Sequence, residues 1–128
     1  DSFGDPRSGG RRHEGVDMLA SLGQAVYAAA DGVLTTQYVD GRSDSELSGN
    51  AWRLTAADGT VFFYAHLSAF GPGLSVGSVV VAGQQIGSVG DTGNPGAGNF
   101  HLHFELQRNG TPIESLPLLQ IPSGCRVY

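Results

Sequence analysis

From residue 100 to residue 107 the chain alternates without a break: Phe100, Leu102, Phe104 and Leu106 against His101, His103, Glu105 and Gln107. A two-residue period belongs to a β-strand, whose successive side chains point to opposite faces. The segment therefore predicts a strand with one buried face and one face presenting two histidines. Segments 25–30, 33–39, 51–56, 61–68 and 79–82 are rich in β-branched and aromatic residues and predict further strands. Four Asx-Gly dipeptides, Asp31-Gly32, Asp40-Gly41, Asp58-Gly59 and Asn109-Gly110, each suit a two-residue turn with positive φ, so tight antiparallel hairpins are expected. No window carries a sustained helical stripe. The expectation is an all-β fold of antiparallel sheets. Segments 43–50 and 91–99 turn polar and glycine-rich and read as surface loops, with the functional groove between them.

A length of 128 residues suits one domain, 1–128. Its net charge of −5 and its longest basic cluster, Arg11-Arg12, lack the cationic footprint that a phosphate backbone requires, so no nucleic-acid partner is expected. No apolar run approaches the ~20 residues of a membrane span, and the start lacks the basic and apolar regions of a signal peptide. A soluble chain without a transmembrane segment is the expectation. The acidic charge also argues against tight electrostatic anchoring to an anionic wall. Cys125 is the only cysteine, which excludes an internal disulfide and a multi-cysteine zinc site.

The four histidines are His13, His66, His101 and His103. In an extended strand His101 and His103 lie on one face about 6.6 Å apart and can reach into one pocket, though only one of them need touch a metal. His13 and Asp17 would stand about 13 Å apart in a fully extended chain, too far for ligands with bonds near ~2 Å, so the backbone must bend between them. Gly15 permits a bend, and a loop leading into a strand fits this stretch better than a helix. Two imidazoles and one carboxylate suit zinc, with a fourth position left to water whose pKa the metal lowers toward ~7.

Three segments in order, His13-Glu14-Gly15-Val16-Asp17, Tyr64-Ala65-His66-Leu67-Ser68 and His101-Leu102-His103-Phe104-Glu105, resemble the signature segments of the lysostaphin-type (LytM-type) zinc metallopeptidases. Phe3-Gly4, Gly83-Gln84-Gln85-Ile86-Gly87 and Gly90-Asp91-Thr92-Gly93-Asn94 match as well, so the likeness covers nearly the whole chain. The resemblance implies antiparallel sheets forming an open groove with zinc at its floor, one ion per chain. It implies hydrolysis of peptide cross-links or stem peptides of bacterial peptidoglycan in an extracytoplasmic setting. Carried over residue by residue, the ligands fall on His13, Asp17 and His103, and the two further active-site histidines fall on His66 and His101, which hydrogen-bond the metal-bound water or the oxyanion. Without a His-Glu-x-x-His motif the chain has no positioned glutamate base, and a histidine, titrating near ~6.5 unperturbed, must move the proton. Glu105 shares a face with His103 and either orients its ring or, as is commoner for such a glutamate, faces solvent. The segment 52–56 lacks the histidine that many relatives carry near Ala56.

Other readings fare worse. Gly73-Leu74-Ser75-Val76-Gly77 satisfies G-x-S-x-G, but a serine-hydrolase elbow needs a strand-turn-helix setting that this β region lacks. Trp52, Phe62 and Tyr64 read as core residues rather than a carbohydrate-stacking platform. A non-catalytic relative of the same fold would have lost some of the five polar residues, all of which are present. Sugar hydrolysis would call for two flanking carboxylates, whereas a metal-activated water suits an amide carbonyl.

Overall fold

The computed structural model describes residues 3–114. Nine strands pair antiparallel into one sheet system: β1 (Val16–Leu19), β2 (Ala25–Tyr27), β3 (Gly32–Tyr38), β4 (Asn50–Thr55), β5 (Val61–Phe70), β6 (Val79–Val80), β7 (Gln85–Val89), β8 (His101–Arg108) and β9 (Thr111–Ile113). Only two short 3-10 turns, Ser8–Gly10 and Ser43–Ser45, interrupt this all-β pattern among the described residues. No helix there is long and apolar enough to cross a membrane.

The main path runs β1-β8-β5-β4-β3-β6, with β9 on β8 and a β2-β7 pair joined to β5. Central position explains composition: β5 and β4 carry Phe62, Tyr64, Leu67, Trp52 and Leu54, while the edge strand β9 tolerates Pro112, whose missing N–H costs nothing where no partner waits. Alternation divides the sheet into two faces. One face buries Trp52, Leu54, Tyr64 and Phe104 with Leu34, Val80 and Ile86 from neighbouring strands. Its polar atoms are satisfied: Trp52 Nε1 donates to the Ile86 carbonyl at 2.8 Å, and the Ala29 N–H donates to Tyr64 Oη at 2.8 Å. The other face carries a small patch of Ala51, Phe63 and Ala65, packed by Tyr38, and on it stand the histidines of β8.

The alternation of 100–107 emerges as β8, with Phe104 and Leu106 buried and Phe100 and Leu102 packed on the core. The expected turns fare unevenly. Asn109-Gly110 joins β8 to β9 with both residues at positive φ (53° and 74°), the two-residue hairpin anticipated. Asp58-Gly59 lies in a longer β4-β5 connection with only Gly59 in the left-handed region. Asp40-Gly41 opens the long loop between β3 and β4. Asp31-Gly32 is no hairpin turn: Gly32 starts β3, its Cα hydrogens facing the Thr55 carbonyl where a Cβ would collide, and Asp31 Oδ1 accepts the Ala82 N–H at 2.8 Å. An Asx-Gly pair thus marks either a turn or a close backbone approach, and the local sequence does not separate them. The strand expected after the His13 loop is β1, whereas β7 and β9 were not foreseen, being short and interrupted by Gly87 and Ser88 and by Pro112. Cys125 lies outside the described residues.

Candidate metal centre

Register brings the sequence-distant groups together. Asp17 on β1 pairs with His103 on β8, and His103 pairs with Ala65 on β5, so one row across three strands holds a carboxylate, an imidazole and a small floor residue. His13 enters from the loop before β1, tied down by backbone bonds from Gly4 N to His13 O and from His13 N to Asp5 O. Gly15 lets that loop lie flat on β8: a Cβ there would strike the Phe104 carbonyl and approach Glu105 Cγ to 2.8 Å. The chain bends at Gly15 as anticipated from sequence, without a positive φ, and the missing side chain also permits this close approach.

Three ligand atoms converge. Asp17 Oδ1 lies 3.1 Å from His13 Nε2 and 2.8 Å from His103 Nδ1, and the two imidazole nitrogens are 3.2 Å apart. Ligands around a tetrahedral zinc with bonds of about 2.0–2.1 Å stand roughly 3.3 Å apart, so this donor set fits such an ion after relaxing by tenths of an ångström. His103 offers Nδ1 because its Nε2–H donates to Glu105 Oε2 at 2.7 Å. Among the described residues this is the group of His and Asp side chains disposed to hold a metal.

Two more imidazoles face the same spot. His66 stands 4.8 Å from His101, ring to ring, and 5.9 Å from His103. Their Nδ1 atoms are engaged with carbonyl oxygens, His66 with Thr92 at 2.8 Å and His101 with Asn99 at 3.0 Å. A carbonyl can only accept, so both Nδ1 atoms carry the proton and both Nε2 atoms keep a lone pair. His101 Nε2 lies 3.8 Å from Asp17 Oδ1. His66 reaches the groove through an irregularity: strict alternation would turn it inward after Ala65, but its φ of 64° at a break in the β4-β5 register swings the ring outward.

Electrostatics follow from this crowding. Burial alone would raise the Asp17 carboxyl, yet hydrogen bonds from His103 and His13 and their charge outweigh it and hold it far below the usual carboxylate range. Burial opposes a charged His103, but Asp17 and Glu105 together raise it to about 9 without a metal. Burial, then the charge of His101 and His103, lowers His66 to about 4.

Around the cluster opens a groove of about 710 Å³. One wall is the segment carrying Arg7, Arg11 and Arg12; Arg7 Nη2 lies 3.9 Å from Asp17 Oδ2. The facing walls are Ser43–Ser48 and the Asn94, Pro95 and Asn99 loop, so the groove does lie between the two glycine-rich loops. Sequence reasoning missed Arg7, the two carbonyls that orient His66 and His101, and the contacts of Gln107 and Arg53. Gln107 was legible, since it shares the alternation of His103 and Glu105. Arg53 was not, because only cross-strand register brings it near. Ser75 of the G-x-S-x-G segment is exposed and is not among the residues that line the groove.

The all-β sheet thus brings four imidazoles and a carboxylate to one groove. The chain belongs to peptidase family M23, whose family model matches residues 11–115. It is 38% identical over 122 residues to the L-Ala–D-Glu endopeptidase of Bacillus subtilis, an alignment that takes in 88% of this chain and 35% of that protein. The chain thus spans about a third of that curated relative's length. The catalytic domain of lysostaphin, an antimicrobial peptidase from Staphylococcus simulans, superposes with a TM-score of 0.74 at 32% identity, covering 91% of this chain and 86% of that one. A zinc-containing peptidase from Vibrio cholerae superposes with a TM-score of 0.71 at 25% identity, over 88% of this chain and 33% of that one.

Proposed function

We propose that this chain is a zinc-dependent endopeptidase that hydrolyses peptide bonds in the cross-links or stem peptides of bacterial peptidoglycan, acting outside the cytoplasmic membrane where that substrate lies. His13, Asp17 and His103 hold one zinc ion, and His66 and His101 carry the proton chemistry. The observation behind this reading is the convergence of His13 Nε2, Asp17 Oδ1 and His103 Nδ1 within 4.8 Å of one another beside two further imidazoles. Family membership and the relatives above support the peptidase activity and the wall substrate. Zinc held there supplies Lewis acidity, polarising the scissile carbonyl and lowering the pKa of an attacking water toward ~7.

The chain's own residues do the rest. The Nε2 lone pairs of His66 and His101 face the groove, so either ring can take the proton from the attacking water and return it to the leaving amine. In its protonated state either ring donates to the developing oxyanion. Thr92 and Asn99 fix the tautomers that make this possible, and Phe63 and Ala65 keep the floor of the groove apolar. The open groove and its charged walls suit an extended peptide rather than a glycan held between two carboxylates.

The test is digestion of purified peptidoglycan followed by mass spectrometry, with and without chelator. New amino termini on intact glycan strands, abolished by chelation and restored by zinc, are the expected result. New reducing sugar ends with intact peptides would overturn the reading.

A further inference from the structure

The contact between His103 and Glu105 is the first link of a longer chain. Glu105 is buried, and both of its oxygens are engaged: Oε2 accepts from His103 Nε2 at 2.7 Å and Oε1 accepts from Gln107 Nε2 at 2.9 Å. Gln107 Oε1 in turn accepts from Arg53 Nη1 at 3.4 Å, and Arg53 Nε donates to Tyr38 Oη at 3.3 Å. The guanidinium lies 4.7 Å over the Phe63 ring and 5.8 Å from the Tyr38 centroid, so its position is fixed by stacking as well as by hydrogen bonds.

Register explains why the chain takes this route. Arg53 stands opposite Phe63, and Phe63 stands opposite Glu105, so the aromatic ring occupies the row between cation and carboxylate and keeps them from pairing directly. Gln107 bridges them instead. Its amide is polarised, N–H toward the carboxylate and oxygen toward the guanidinium; a flip would set oxygen against oxygen at one end and N–H against N–H at the other. Glu105 is therefore held in one rotamer. Its steady claim on His103 Nε2–H leaves the Nδ1 lone pair aimed at His13 and Asp17.

We propose that Gln107 and Arg53 are positioning residues that fix the ring and tautomer of His103 as a metal ligand, acting through Glu105. This rests on the reading of His103 as a ligand. A side chain further along the ligand's own strand and another two strands away thereby set how tightly the metal is held.

The experiment is zinc affinity of the whole chain, by competition with a chelator of known affinity, alongside the melting temperature of the metal-free protein. Glu105→Ala should weaken zinc binding about 10- to 100-fold, the usual cost of losing a group that orients a ligand. Gln107→Met, close in shape but without hydrogen bonds, should weaken it by about 3- to 10-fold, being one step further out. Arg53→Lys, which keeps a cation on Phe63 but loses the fork, should shift affinity in the same direction and serves if Gln107→Met does not fold. In the Glu105→Ala background the Gln107 and Arg53 substitutions should have no further effect on zinc affinity. Wild-type zinc affinity in both single variants would overturn the proposal, as would a full loss persisting in the Glu105→Ala background. Failure of the wild type itself to bind zinc, or equal binding by His103→Ala, would instead overturn the metal-site reading.

Discussion

His66 holds φ at 64°, a left-handed value that a residue with a Cβ adopts at a cost of roughly 1–2 kcal/mol. The geometry explains the expense: without it the ring would point into the core, and with it the ring faces His101. Glycine pays no such penalty, so His66→Gly should leave the fold about 1 kcal/mol more stable than His66→Ala, read from denaturant midpoints of the metal-free proteins. Equal stability would mean that the backbone there is not strained. The other histidines should separate by role. His103→Ala should lose zinc and turnover together, whereas His101→Ala should keep its zinc and lose about 10²- to 10⁴-fold in turnover, the range of a general acid-base group. Zinc content and rate on the same preparations decide it, and the reverse pattern would exchange the two assignments. Acid and base should act differently on the metal-free protein. His66, lowered to about 4 by burial first and then by repulsion from the neighbouring imidazoles, binds fewer protons folded than unfolded between pH 6.5 and 4, so stability falls as pH drops through that window. His103, raised to about 9 against burial by Asp17 and Glu105, contributes stability that is lost as pH climbs from 6.5 through 9. Melting temperature in chelator should therefore peak near pH 6–7; a plateau extending to pH 9 would contradict the placement of His103 between two carboxylates.

At the level of elements, the groove walls are coupled by two glycines. The 91–99 loop rests on the 41–50 loop where Gly93 meets Gly49: a Cβ on Gly93 would approach Gly49 N and Leu47 O to 2.5 Å, and its φ of 85° is hostile to any side chain. Thr92 ties the same junction to the sheet, its Oγ1 donating to Leu67 O at 2.8 Å and accepting from Asn50 N at 3.0 Å, while its carbonyl takes His66 Nδ1. Gly93→Ala should therefore cost about 2–4 kcal/mol, backbone strain plus overpacking, and should lower turnover while zinc remains bound, because the His66 anchor moves and the ligands do not. Wild-type turnover and melting in that variant would show the loops to be independent. None of this coupling was legible beforehand. Thr92 and Gly93 stood out only as part of a loop and of a family-like segment, since the contacts they make are with a second loop more than 40 residues away. By contrast β8, β5 and β4 were legible to within a few residues, because their strict alternation or aromatic content survives any tertiary context.

For the molecule as a whole, the same contrast decides what the sequence could say about the site. The identities of His13, Asp17, His66, His101 and His103 stood out through resemblance, but their convergence depends on β1 pairing with β8, a contact between residues 86 apart that the short, half-polar β1 gives little sign of. That long closure would also make a metal bound there a structural link. His13 and Asp17 belong to a segment held by β1 on one edge of the main sheet path, and His103 belongs to the strand beside it, so an ion bound by all three fastens the beginning of the chain to the sheet. An ion that binds the folded state alone stabilises it by RT ln(1 + [L]/Kd), about 2.7 kcal/mol at a hundredfold excess over Kd. For a domain of this size that raises the melting temperature by roughly 8–15 °C. Chelation should lower the melting temperature by that order, and zinc at one equivalent per chain should restore it. The loosening should also be local. Hydrogen exchange in the metal-free protein should rise most between residues 5 and 19, which the metal ties down from outside the main core, and least in β4 and β5, which bury Trp52 and Tyr64 regardless. If chelation leaves both the melting temperature and the exchange of residues 5–19 unchanged, no ion bridges the segment to β8, and the three-ligand site is wrong.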